Sequence, residues 1–162
     1  MIVIAYDGSE DAKAAIAKAG ELFKGQTATV VTVWQRFVDT MARVGGGVGV
    51  IVDYEEIDND SKQRAAQRAA EGAKLAGEAG LEATGQEAVV ETTVSEAILD
   101  AAAEAHADVV VMGSRGYTGV KSALLGSVSH HVLQHADRPV IVIPSPEVAQ
   151  TRAEHRQSAK HE

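Results

Sequence analysis

The sequence predicts a doubly wound α/β domain, a five-stranded and mainly parallel sheet with helices on both faces. Three observations predict it. Short runs rich in Val and Ile recur along the chain without polar alternation, as strands buried on both faces require. Between them lie stretches whose apolar residues recur at helical spacing. The order strand, helix, strand then repeats, and right-handed crossovers of that kind close on a parallel sheet.

Ile2 to Ala5 reads as the first strand and Ala28 to Trp34 as the second. The helix between them is capped by Ser9, carries Ala12, Ala15, Ile16, Ala19, Leu22 and Phe23 on one face, and stops before Gly25. From Gln35 to Asp53 the periodicity breaks around Gly45, Gly46, Gly47 and Gly49, so a long loop is expected. Glu55 to Ala79 suits a helix that packs a small-residue face, with Ala65, Ala66, Ala69, Ala73, Leu75 and Ala76, against the sheet. A short strand at Glu87 to Glu91, a helix at Ser95 to Ala105 and a strand at Asp108 to Met112 follow. Ser127 to His135 is the last helix, and Val140 to Ile143, after Pro139, the last strand. Five strands thus alternate with four helices in one domain, residues 1–144, and residues 145–162 read as a polar, frayed, flexible tail.

A chain of 162 residues buries a core of this kind without a disulfide or structural metal. Apolar residues at 45% and charged residues at 23% exclude a disordered chain. Without cysteine there is no disulfide framework, thiolate metal site or thiol nucleophile. The formal net charge of -8 repels a phosphate backbone, and 4% aromatic residues give few stacking platforms, so no nucleic acid is expected as partner. The apolar start, Met1 to Tyr6, ends at Asp7, far short of a signal core or membrane span. A cytoplasmic protein with no membrane partner is the expectation.

Ligands of doubly wound sheets bind beyond the carboxyl ends of the strands, where strand order reverses, which directs attention to Asp7 and Gly113. Gly113-Ser114-Arg115-Gly116 follows the fourth strand, and Gly126-Ser127-Val128-Ser129 opens the last helix. Glycine admits close backbone approach and positive φ, and successive amides in such a turn form an anion-binding hollow. The helix start adds unpaired N–H groups and partial positive charge, so Ser127, Val128 and Ser129 can offer amides and hydroxyls to phosphate oxygens.

Gly113, a second glycine three residues on at Gly116, nine intervening residues and then Gly126-Ser127 form a pattern that resembles the nucleotide-binding pattern of the universal stress protein family. The likeness runs along nearly the whole chain. It includes Ala5-Tyr6-Asp7-Gly8-Ser9 and the stretch Val128 to Val140 with Leu133, Ala136 and Pro139. The resemblance implies a Rossmann-like fold with strand order 3-2-1-4-5. It also implies that Gly113, Arg115, Gly116, Gly126, Ser127 and Val128, with Ser129, contact ribose and phosphates. Ala5, Tyr6, Asp7, Val33 and Met112 would then line the adenosine end. The implied ligand is ATP, with Mg as a companion ion, and the implied partner is a second copy paired through Val140 to Ile143.

Individual residues keep alternative readings. Asp7 can hydrogen-bond base or ribose or hold a divalent ion, or simply be a carboxylate at a helix entry. Arg115 can neutralise phosphate or be an ordinary surface arginine, and Lys121 can reach a terminal phosphate or face water. Gly45 to Gly49 lacks the Lys-Ser or Lys-Thr of a phosphate loop. His131 and His135 have metal-ligand spacing but no third ligand in view, and Ser9 lacks a nucleophile elbow. No catalytic or metal-ligating residue is assigned. The expected function is an ATP-binding stress-response or signalling module with at most slow hydrolysis. The rivals are a slow metal-dependent ATPase or phosphotransfer enzyme, a cyclic AMP-binding protein, and a nucleotide-free interaction dimer.

Overall fold

The computed structural model describes residues 1–44, 53–116 and 125–158. Along the chain run β1 (Ile2–Ala5), α1 (Glu10–Leu22), β2 (Thr27–Trp34), α2 (Phe37–Val44), α3 (Tyr54–Glu78) and β3 (Glu82–Val89). They are followed by α4 (Val94–Glu104), β4 (Val109–Gly113), α5 (Ser127–His135), β5 (Val140–Ile143) and α6 (Pro146–Ser158). All strand pairs are parallel, in the order β3-β2-β1-β4-β5, which is the expected one. Ile4 stands opposite Val30 on one side and Val111 on the other, so β1 is the sheet's centre.

Alternation along each strand divides the core into two layers. Ile2, Ile4, Val30 and Val111 face α1 and α3, packing with Ile16, Ala19 and Ala76. Val3, Val31, Val110 and Met112 face the other way, toward α4 and α5, packing with Ile98, Ala102 and Val132. Complete burial of a Val or Ile side chain contributes roughly 1.5–3 kcal/mol, so the three central strands supply much of the driving force. The small-residue face of α3 is real: Ala65, Ala69, Gly72 and Ala76 are buried, while Ala66 is exposed. Close approach is the reason for it. A Cβ on Gly85 of β3 would lie 2.6 Å from the carbonyl carbon of Ala69, so the strand is bare where the helix crosses.

Three expectations need correction. Within the expected loop, residues 37–44 form α2. Its Phe37 ring stands 5.9 Å from that of Tyr54, and the Phe37 amide donates to Asp58 Oδ1, both on α3. Tertiary anchoring has overridden the neighbouring glycines. The third strand runs from Glu82 to Val89, not from Glu87 to Glu91, because an edge strand covered on one side carries little apolar pattern. Beyond β5, residues 146–158 form a helix where a frayed tail was expected, with Pro146 in its first turn and Val148 buried. Gly45 to Gly49 and Lys121 lie outside the described residues.

Candidate functional site

β2 and β3 lie to one side of β1 and β4 and β5 to the other, so the order reverses between β1 and β4. At the carboxyl ends of these two strands lies a cavity of about 360 Å³. Its size is ordinary for a small-molecule site. Every one of the twelve residues singled out from the sequence lines it. Ala5, Tyr6, Asp7, Val33 and Met112 come from the strand ends, Gly113, Arg115 and Gly116 from the turn after β4, and Gly126, Ser127, Val128 and Ser129 from the start of α5. Among the described residues Ala12, Val31, Val94, Ile98 and Leu125 also line it.

The apolar end opens on the layer that faces α4, between Val31 and Val33 of β2 and Val94 and Ile98 of α4. One polar edge crosses it. The Tyr6 amide donates to Val31 O, so odd-numbered residues of β2 turn their peptides toward β1, while Trp34 O accepts from Val90 on the β3 side. Past Tyr6 the chain has left for α1, and Thr32 Oγ1 donates to Tyr6 O from β2. The Val33 peptide therefore presents its N–H and C=O along a strand edge that β1 no longer covers. A donor beside an acceptor on an apolar wall suits a flat heterocycle bearing the complementary pair.

At the other end, α5 starts at Ser127 with Gly126 as its cap residue, and no side chain caps it. Its ladder begins with His130 N–H to Gly126 O, so the amides of Ser127, Val128 and Ser129 precede the first helical bond. Ser127 is exposed. Unpaired amides and the helix dipole together favour an anion here.

Several side chains do something other than expected. Ser129 is buried, and its hydroxyl lies 2.9 Å from Ser114 O and 3.0 Å from Gly126 O, so it serves the turn and only its amide remains for a ligand. Tyr6 turns its ring into the layer facing α3 and donates its hydroxyl to Glu71 Oε1 at 2.8 Å. It offers the cavity its main chain. Burial, reinforced by the Glu71 carboxylate, holds the Tyr6 hydroxyl well above the usual phenol range. Gly113, Gly116 and Gly126 all have ordinary φ; in this region positive φ falls on Gly8, at 86°. Gly113 is required by α1, since a Cβ there would stand 2.7 Å from the carbonyl carbon of Asp11. Asp7 Oδ1 accepts from Ser9 N–H at 3.0 Å and Ser9 caps α1, which is the helix-entry reading. A Cβ on Gly116 would come within 2.8 Å of Asp7 Oδ2, so that carboxylate also faces the turn across the cleft.

The residue that sequence reasoning missed is Asp11. It is 6% exposed, and its Oδ2 accepts from Ser114 Oγ at 2.7 Å and from Arg115 N at 3.0 Å. Arg115 Nε stands 3.9 Å from the same oxygen, so Arg115 is not the free surface arginine of the bland reading. Asp11 thereby fixes the turn after β4. Its only sequence signal is a carboxylate in the first turn of a helix, which the dipole alone explains.

Comparison with known proteins places this cleft in context. Residues 1–144 match the model of the universal stress protein family. A universal stress protein of Thermus aquaticus is 34% identical over 144 residues, covering 88% of this chain and 96% of the relative. One from Bacillus subtilis is 32% identical over 145 residues, covering 88% and 97%. The solved universal stress protein from Archaeoglobus fulgidus superposes with a TM-score of 0.60 at 26% identity, over 88% of this chain and 96% of that one. Solved structures with the same fold include universal stress proteins in complex with dAMP (TM-score 0.57) and with cAMP (0.57), and an Arabidopsis thaliana family member with AMP bound (0.60). With its five-stranded parallel sheet and a family match from Met1 to Pro144, the chain belongs to the universal stress protein family.

Proposed function

We propose that this protein binds an adenine nucleotide, ATP in the first instance, in the cleft between β1 and β4, and acts as a stress-response or signalling module in the cytoplasm. The single observation that carries the reading is one cleft with two complementary ends. Val33 offers an N–H and a C=O on an apolar wall, which matches N1 and the 6-amino group of adenine, and α5 offers uncapped amides to phosphate. The complexes of family members with dAMP, cAMP and AMP support the adenine choice. Asp7 is the one carboxylate lining the cavity among the described residues, and a Mg ion accompanying ATP would be held there. The sequence holds no Walker lysine, and among the described residues Asp7 is the one candidate base in the cavity, so any hydrolysis is slow and metal-dependent.

Those neighbours favour a second reading, in which a monophosphate or cyclic AMP is the ligand. Both readings are tested by denaturing the purified protein, identifying released nucleotide, and titrating ATP, AMP and cyclic AMP into nucleotide-free protein. Ser127→Glu is the informative variant. A glutamate in the first turn suits the helix dipole and leaves packing untouched, yet sets its charge against phosphate. It should weaken ATP by at least about tenfold, near 1.4 kcal/mol. A wild-type protein indifferent to every adenine nucleotide, or a variant that binds as well, would overturn the proposal.

Pairing of two copies along β5 belongs to the same reading. This strand is an edge of the sheet, and its four apolar residues are only half-buried in the single chain. Sedimentation giving twice the chain mass would support it, and a monomer at micromolar concentration would remove it.

A further inference from the structure

We infer that His131 and His135 form a surface site for one divalent first-row transition metal ion, with water completing its coordination. This rests on α5 alone and does not depend on the nucleotide reading. The two residues are one turn apart on the same exposed stripe of the helix, with ring centroids 6.2 Å apart. The decisive detail is a hydrogen bond. His135 Nδ1 lies 2.9 Å from His131 O, and a carbonyl can only accept, so the proton sits on Nδ1 and the lone pair on Nε2. That is how metal-binding imidazoles are commonly oriented, with the second nitrogen tied to a backbone carbonyl. The His131 ring has no hydrogen-bond partner among the described residues, so its nitrogens remain available.

The span is right for a shared ion. Metal–nitrogen bonds are about 2.0–2.1 Å, so with a ring nitrogen roughly 1.2 Å from its centroid two imidazoles on opposite sides of one metal can hold their centroids up to about 6.4–6.6 Å apart. The observed 6.2 Å lies inside that limit, and both rings are exposed. Among the described residues no group of three His or carboxylates comes together, so those residues supply two ligands. Two imidazoles and several waters favour Cu(II), then Ni(II) and Zn(II), over Mg(II) or Ca(II), and a chain of net charge -8 attracts any of them.

The test is titration of Cu(II) into the full, untagged chain near neutral pH, read by calorimetry and by electron paramagnetic resonance. The expected result is one strongest site whose spectrum shows two coordinating nitrogens. His131→Gln and His135→Gln should each weaken that site by at least about tenfold, because a single imidazole cannot chelate. The His130 ring also stands near that of His131, with centroids 6.0 Å apart, but it lies about 100° round the helix and the bond to the His131 carbonyl is made by His135, so His130→Gln should weaken the site by less than about twofold. All three residues are exposed, and circular dichroism confirms that the variants keep their fold. Persistence of the strongest site in either the His131 or the His135 variant, or an equal loss in the His130 variant, would overturn the inference.

Discussion

Replacing Asp11 tests how the cleft is held open. Two donors converge on one oxygen, Asp11 Oδ2: Ser114 Oγ–H at 2.7 Å and Arg115 N–H at 3.0 Å. Hydrogen bonds to a charged acceptor contribute about 1.5–3 kcal/mol each. In Asp11→Ala both are lost, and the wholly buried Ser114 hydroxyl is left facing a void, so unfolding free energy should fall by about 3–5 kcal/mol. Asp11→Asn can place its amide oxygen where Oδ2 stands and still accept from both donors. It gives up charge assistance and the favourable interaction with the α1 dipole, for a loss of about 1–2 kcal/mol. Urea unfolding followed by circular dichroism measures both, with an unchanged denaturant slope showing that the comparison is sound. For a chain of this length the alanine variant should melt roughly 6–20 °C lower. An alanine variant within about 1 kcal/mol of wild type, or an asparagine variant as damaged as alanine, would refute the reasoning.

Other perturbations follow from the same contacts. Gly113→Ala pushes a Cβ to 2.7 Å from the Asp11 carbonyl carbon and 2.9 Å from Ala12 N, so it should cost about 1–3 kcal/mol. Gly126→Ala meets nothing nearer than 3.3 Å and should cost less than about 1 kcal/mol in the same urea experiment. Arg138, 15% exposed, donates to the carbonyls of Ala102 and Ala107, tying the end of α4 to the start of β5; Arg138→Met should lose about 2 kcal/mol, read as a lower melting temperature. Tyr6 ionises above its unfolded value of about 10, so its share of stability is intact below that pH and is lost as pH rises beyond it. Alkaline difference spectra should show one tyrosine resisting ionisation until the protein unfolds, and Tyr6→Phe should flatten the fall in stability above about pH 10.

What could be read from the sequence follows from how many faces of an element are buried. β1 and β4 are short apolar runs because helices cover both sides of the sheet there, β5 is an edge strand whose four half-buried residues are all Val or Ile, and each of the three is recognisable within a residue or so. β3 has the sequence EATGQEAV, and as an edge strand crossed closely by α3 it has neither an apolar run nor alternation. In α2, Phe37, Val38 and Met41 do recur at helical spacing, but the glycines that follow drew the whole stretch into a loop. α6 offers no apolar face, although Ser145 before Pro146 and Glu147 is a start signal, with Val148 N–H 3.5 Å from Ser145 Oγ. The cleft was legible where its chemistry is local, in the glycines and the α5 start. Asp11 was not, because its partners Ser114 and Arg115 stand more than 100 positions away along the chain.

Ser114 shows why such distant partners matter to binding. Its N–H donates to Ile143 O of β5, its hydroxyl donates to Asp11 of α1, and its carbonyl accepts from Gly126 N–H and lies 2.9 Å from Ser129 Oγ at the start of α5. One buried residue therefore joins the turn after β4, the first turn of α1, the edge strand and the helix start that faces the cleft. Each of these bonds is made with the protein itself. The amides of Ser127, Val128 and Ser129 are consequently aimed before any anion arrives, and binding need not supply the ordering of those residues. The edge strand shares the same residue, since Ile143 is both the last residue of β5 and the acceptor for Ser114 N–H. A shift of the glycine turn on ligand binding must then be absorbed either by lengthening that bond or by moving the end of β5. Bonds at 2.7–2.9 Å to a wholly buried residue resist lengthening, so the end of the edge strand is the softer of the two.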